Sequence, residues 1–266
     1  MTRKGKYALS ILVLLFAASV ISPLLPVYDP YEIRLEVSKA PPSLKHPFGT
    51  DAKGRDIFSR VLYGGKISLG VAVAAACISS LIGFAVGLTS GYCGGKADML
   101  LMSFVDFVLS FPSLLLAVAI SLVMPPGIHT VTIALAAVGW TPFARLIRGH
   151  VLTLRGSTFV EAARAVGCSH ARILFRHIAP LCIPLAFVMM GIKLGGFVIT
   201  EATLSFLGLG AQPPVPTWGS MISANRAYIL SAPWMVFFPG IVLSVAAFCF
   251  NLVGESLRER YAMKED

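Results

Sequence analysis

Apolar residues in this chain come in long blocks separated by polar segments. Six blocks approach the ~20 residues needed to cross a hydrocarbon layer. They are Tyr7–Pro26, Ile67–Thr89, Met99–Met124, Thr130–Ile147, Ile183–Leu209 and Trp234–Val253. The pattern predicts an all-α membrane protein of six transmembrane helices. The first block follows Arg3, Lys4 and Lys6, is too long for a signal-peptide core, and ends without a small-x-small cleavage site. An uncleaved first span is therefore expected. The second block is crowded with small residues, including Gly83-Phe-Ala-Val-Gly87, so it should lie buried among neighbouring helices.

Charge sets the orientation. With the N-terminus inside, the cytoplasmic segments hold Arg3, Lys4, Lys6, Lys96, Arg145, Arg148, Arg155, Arg164, Arg172, Arg176, Arg258, Arg260 and Lys264. The outside segments hold Arg34, Lys39, Lys45, Lys53, Arg55, Arg60, Lys66 and Arg226. The bias follows the positive-inside rule. The 27–66 loop works against it, and the N-terminus and the 144–178 segment decide it. Arg145 and Arg148 read mainly as topology anchors. The chain then divides into 1–66, a first helix with an extracytoplasmic loop; 67–257, a core of five helices; and 258–266, a short cytoplasmic tail.

Composition agrees. The 266 residues are 56% hydrophobic and 13% charged, against roughly 45–50% and 25% for soluble domains. The net charge of +9 sits between apolar blocks, so topology explains it better than nucleic-acid binding. Cys77, Cys93, Cys168, Cys182 and Cys249 form no CxxC or Cys/His ligand spacing, which predicts neither disulfide nor metal. His46, His129, His150, His170 and His177 share no ligand spacing either. No phosphate-binding glycine-lysine loop, HExxH or GxSxG is present, so no catalysis is expected of this chain.

The polar segment 155–180 carries more information. Thr158-x-x-Glu161 has the form of a capping box and predicts a helix from Phe159. Gly167 can stop that helix in the left-handed conformation. Ser169 can cap a second short helix, His170–His177, ending before Pro180. Phe159, Ala162, Ala163 and Val166 would form a small apolar face. On these residues alone, a connector lying on lipid and a helix docking to a protein stand level.

Three stretches carry a resemblance. Glu161-Ala162-Ala163-x3-Gly167 with Ile178-x-Pro180 resembles the EAA loop of bacterial ABC importer permeases. His46-Pro-x-Gly49-Thr50-Asp51-x-x-Gly54-Arg55-Asp56-x-x-Ser59-Arg60 and Glu201-Ala-x-Leu-Ser205-Phe206-Leu207-Gly208-Leu209-Gly210-x-x-Pro213-Pro214-x-Pro216-x-Trp218-Gly219 are similar to the C-type subunit of the dipeptide/oligopeptide/nickel permease family. Phe238-Pro239-Gly240 and Phe250-Asn251-Leu252 also fit, so the resemblance covers essentially the whole chain. It implies the type I ABC importer permease fold, both termini in the cytoplasm, and residence in a bacterial inner membrane. It implies a coupling loop at 157–180 whose Glu161, Ala162, Ala163, Gly167 and Pro180 meet a cytoplasmic ATPase. The implied partners are a second homologous permease subunit, two ATP-binding cassette ATPase subunits and an extracytoplasmic substrate-binding protein. The implied cargo is a dipeptide or oligopeptide, with chelated nickel the alternative; a self-sufficient secondary transporter fits less well. Gly208–Met221 would be an outside loop with little regular structure, in which Pro213, Pro214 and Trp218 make outer contacts.

Charges within spans are costly and mark functional candidates. Lys193 and Glu201 would line the translocation path and suit a zwitterionic cargo. Asp106 is a third candidate. The family often has an Arg three residues before that Asp, but Ser103 stands there, which leaves Asp106 without a local cation. The basic Lys193 also departs from the family pattern.

Overall fold

The computed structural model describes residues 2–22 and 28–262. The expected end of the first span at Pro26, the start of the outer loop at Val27 and the tail residue Lys264 lie outside the described residues. Helices α1 (Arg3–Ile21), α2 (Ile57–Cys93), α3 (Gly95–Leu109), α4 (Ser113–Val123) and α5 (Ile128–Arg155) come first. Then follow α6 (Thr158–Ala165), α7 (His170–Arg172), a π turn (Ile173–Ile178), α8 (Ala179–Phe206), α9 (Trp218–Asn225) and α10 (Trp234–Ala262). Five helical stretches are long and apolar enough to cross a membrane, and α3 with α4 form a sixth crossing if taken together.

The ends of the chain fix the parity of these crossings. The Thr2 backbone N–H donates to Ser256 Oγ at 2.8 Å, and Gly5 abuts the same serine. The start of α1 and the end of α10 therefore lie on one face. Two helix ends on one face require an even number of crossings, in agreement with six spans and both termini on the same side. Large side chains such as Leu14, Leu81, Phe237 and Phe248 are exposed along the spans. In water such a surface would be a liability; in a bilayer it is the lipid-facing coat.

Small residues set the helix packing. Gly83, Gly87 and Gly91 form a stripe on α2 at four-residue spacing. A Cβ at Gly83 would lie 2.4 Å from Phe143 Cβ, one at Gly87 2.6 Å from the Ala144 carbonyl, and one at Gly91 2.8 Å from Val151 Cβ. The expected burial of this span is thus met by close packing against α5.

The third span departs from expectation. Met99–Met124 was predicted as one helix, but α3 and α4 meet at 89° across a short break. Pro112 lacks an N–H and disfavours the helical conformation at Phe111. The Ser110 hydroxyl donates to the Phe107 carbonyl at 2.7 Å and closes α3. Pro142, Pro184 and Pro239, by contrast, are carried inside α5, α8 and α10.

The outer segment 28–56 folds back on α2. Asp56 caps that helix, its Oδ2 accepting from the Ser59 N–H (2.8 Å) and hydroxyl (2.7 Å), while its Oδ1 pairs with His46 Nδ1 at 2.8 Å. Asp51 pairs with Arg55 at 2.7 Å and lies 3.9 Å from Arg60. The Phe48 ring stacks on Phe238 at 4.1 Å. The His46–Arg60 motif is therefore a bracing knot on the outer face.

Candidate functional site

The polar segment between α5 and α8 stands on the face where the chain ends meet. Its first helix begins one residue earlier than expected. Ser157, with extended backbone, is the N-cap; its side chain caps no N–H and instead donates to the Leu154 carbonyl at 2.5 Å. The predicted capping box of Thr158 and Glu161 is consequently absent: with the register advanced, Val160 and not Glu161 occupies the third helical position. Val160 is fully buried in a cluster with Ile147, Val151, Ile173 and Ile178, and Ala163 packs against it. Of the expected apolar face only Ala163 turns inward. Phe159 and Ala162 are exposed, and Val166 is 84% exposed. Glu161 is exposed too, on another side of the helix.

Gly167 closes α6 as predicted, at φ +82°. Its N–H donates to the Arg164 carbonyl (2.9 Å) and that of Cys168 to Ala163 (3.0 Å). Ser169 then accepts from the Arg172 N–H at 3.4 Å. The helix so begun does not end before Pro180; it runs on as one rod, His170–Phe206. Pro180 sits in the first turn of α8, directly after the π turn. The Tyr92 hydroxyl and His170 Nδ1 lie 2.9 Å apart, which ties the end of α2 to the start of this rod.

Two ion pairs join α3 to α5. Arg148 grips Asp98 with Nε and Nη2, both at 2.6 Å. Arg145 bonds Asp106. Asp106 therefore has a cation, supplied by the next span and not by its own helix. Arg145 and Arg148 do more than anchor topology. The clue in the sequence was that charges in or beside spans tend to come with partners.

Lys193 and Glu201 are separated by the fold. Lys193 on α8 lines a groove of about 360 Å³ held in the elbow of α3 and α4, with Phe111, Ser113, Thr141 and Thr200. Among the described residues no carboxylate lies within ion-pair distance of it. Glu201 is 1% exposed and packs inside the protein. Its Oε1 accepts from the Ser205 hydroxyl at 2.7 Å, and the Ser68 hydroxyl lies close by.

The stretch expected to be an irregular outer loop ends in a helix. Thr217 and Ser220 form a reciprocal capping box that starts α9 at Trp218. Pro213 and Pro214 are exposed. Trp218 is not at a tip: it is 1% exposed, and its Nε1–H donates to the Val61 carbonyl at 2.9 Å.

Residues 83–262 match the family described as "Binding-protein-dependent transport system inner membrane component". The chain is 43% identical over 218 residues to the dipeptide transport system permease protein DppC of Alkalihalophilus pseudofirmus, covering 82% of this chain and 72% of that one. It is 38% identical over 251 residues to the oligopeptide transport system permease protein OppC of Bacillus subtilis, covering 94% and 82%. It is 41% identical over 218 residues to the glutathione transport system permease protein GsiD of Pectobacterium atrosepticum, covering 82% and 72%. Among solved structures, an inward-facing MetNI methionine ABC transporter chain aligns with a TM-score of 0.60 at 17% identity, covering 75% of this chain and 95% of that one. An amino acid ABC transporter crystallised with histidines aligns at 0.56 and 19%, covering 78% and 94%.

Proposed function

The chain belongs to the family of binding-protein-dependent transport system inner membrane components, and from that premise we propose that it is the permease subunit of an ATP-driven peptide importer. A second homologous permease subunit completes the path, two ATP-binding cassette ATPase subunits drive it from the cytoplasm, and an extracytoplasmic binding protein delivers cargo. The names of the related permeases, which cite dipeptides, oligopeptides and glutathione, support the peptide class.

The observation that carries this reading is α6. An isolated helix of eight residues is marginal in water. This one is rooted by the buried Val160 and turns Phe159, Glu161, Ala162 and Val166 away from the rest of the chain. At ~100° per residue Glu161 lies about 160° around the helix from Phe159, so the exposed surface offers an apolar strip and, apart from it, a carboxylate, both open to a protein partner. Because α5 and α8 flank this segment, force applied there reaches two of the four helices that line the groove. The cycle follows if the ATPase states differ in affinity for the two permease conformations. Glu161, Ala162, Ala163 and Gly167 are then coupling residues, and Pro180 closes the segment at the start of α8.

The complete complex in proteoliposomes tests this. Glu161→Arg should lower ATP-driven peptide uptake by on the order of tenfold or more, as loss of a paired interface charge does. Insertion and co-purification of the second permease should persist. Full uptake by that variant, or ATP-independent uptake by this chain alone, would overturn the reading.

A further inference from the structure

The groove in the elbow of α3 and α4 holds a cation that no carboxylate among the described residues answers. Asp106 is engaged by Arg145, and Glu201 does not line the groove. An ammonium in a membrane span is costly to keep, and persists where it meets an anion or a watered path. The remaining polar lining is hydroxyl. Thr141 Oγ1 donates to the Val138 carbonyl (3.1 Å) and Thr200 Oγ1 to the Gly196 carbonyl (2.8 Å). Those hydroxyl hydrogens are committed; Thr141 is fully buried, while the partly exposed Thr200 oxygen can still accept. The groove thus offers one strong donor, Lys193, beside the Thr200 oxygen as an acceptor suited to an N–H, and a side wall of Phe111, Phe197 and Leu135. A peptide terminus presents just this set: a carboxylate, an amide N–H and an apolar side chain. A volume of about 360 Å³ lies at the small end of ligand pockets and fits the last residue or two of a peptide.

We propose that this groove is a subsite for the free carboxylate end of a peptide in transit, with Lys193 as its specificity-determining residue. The proposal rests on the importer reading. It assigns only the acid end of the cargo to this subunit.

The test uses the whole complex with its binding protein in proteoliposomes. Uptake of one tripeptide is compared as free acid and as C-terminal amide, each corrected for its affinity to the binding protein. The wild type should prefer the free acid. Lys193→Met should shrink that preference by on the order of tenfold, the size of one charge-assisted hydrogen bond, and Lys193→Arg should restore it. An unchanged preference in Lys193→Met overturns the subsite. So does failure of Lys193→Met, but not Lys193→Arg, to co-purify with the second permease, because the ammonium would then serve a partner's carboxylate. Absence of ATP-dependent peptide uptake by the wild-type complex refutes the importer reading, and the subsite falls with it.

Discussion

Gly83 and Gly70 lie on the same helix and face opposite demands. At Gly83 any side chain would collide with Phe143 Cβ and the Trp140 carbonyl, while at Gly70 nothing lies within 4 Å. Gly83→Leu should separate α2 from α5 and cost roughly 1–3 kcal/mol or more, as overpacking does. It should appear as a lowered thermal midpoint in detergent. Gly70→Ala should hold or raise that midpoint, by up to ~1 kcal/mol, through helix propensity. The stripe at Gly83, Gly87 and Gly91 was legible from spacing; its partner helix was not, because the sequence does not say which neighbour a small-residue face meets. Asp106 teaches the same lesson. Its own helix offers no cation, and the answering Arg145 is 39 residues away. Trp218 was misread because an aromatic in a Pro- and Gly-rich stretch looks exposed, whereas its burial depends on the distant Val61 carbonyl.

At the scale of elements, α3 is held by charge as well as by apolar contact. Val105 and Val108 are its buried residues, while Asp98 reaches both Arg148 and Ser90. Asp98→Asn should loosen α3 from α5 and lower stability by roughly 1–3 kcal/mol, the range for hydrogen bonds to a charged group. The Arg148→Gln, Asp98→Asn double variant should cost less than the sum of the single changes. Thermal unfolding of the three variants checks this. The long spans were readable because each apolar block exceeds what any soluble strand or helix needs. Two boundaries were not. Pro112 sits inside a block whose hydropathy hardly falls there, so the block reads as continuous although the helix breaks. Pro180 looked like a stop, yet the rod runs through the π turn before it and on into α8. The start of α6 slipped by one residue because Ser157 and Thr158 are both good caps, and the choice between them is made by the burial of Val160.

For the whole molecule, the contact of Thr2 with Ser256 places the start of α1 and the end of α10 on one face, and with an even number of crossings the segment between α5 and α8 falls on that face too, in keeping with the charge bias. The break between α3 and α4 has a further consequence. At ~1.5 Å per residue, the 11 residues of α4 reach only about 17 Å, well short of a hydrocarbon core of about 30 Å. Backbone groups freed at Ser110–Pro112 cannot be left against acyl chains; they must face protein or water. A cysteine at Ser113, in a background lacking the five native cysteines, should react with a charged maleimide in intact proteoliposomes. One at Leu81, on the lipid-facing side of α2, should not; equal labelling at both positions would refute this. The stretch that scores as the middle of a hydrophobic span is then wetted, and the dielectric boundary of the membrane runs around the elbow and not through it.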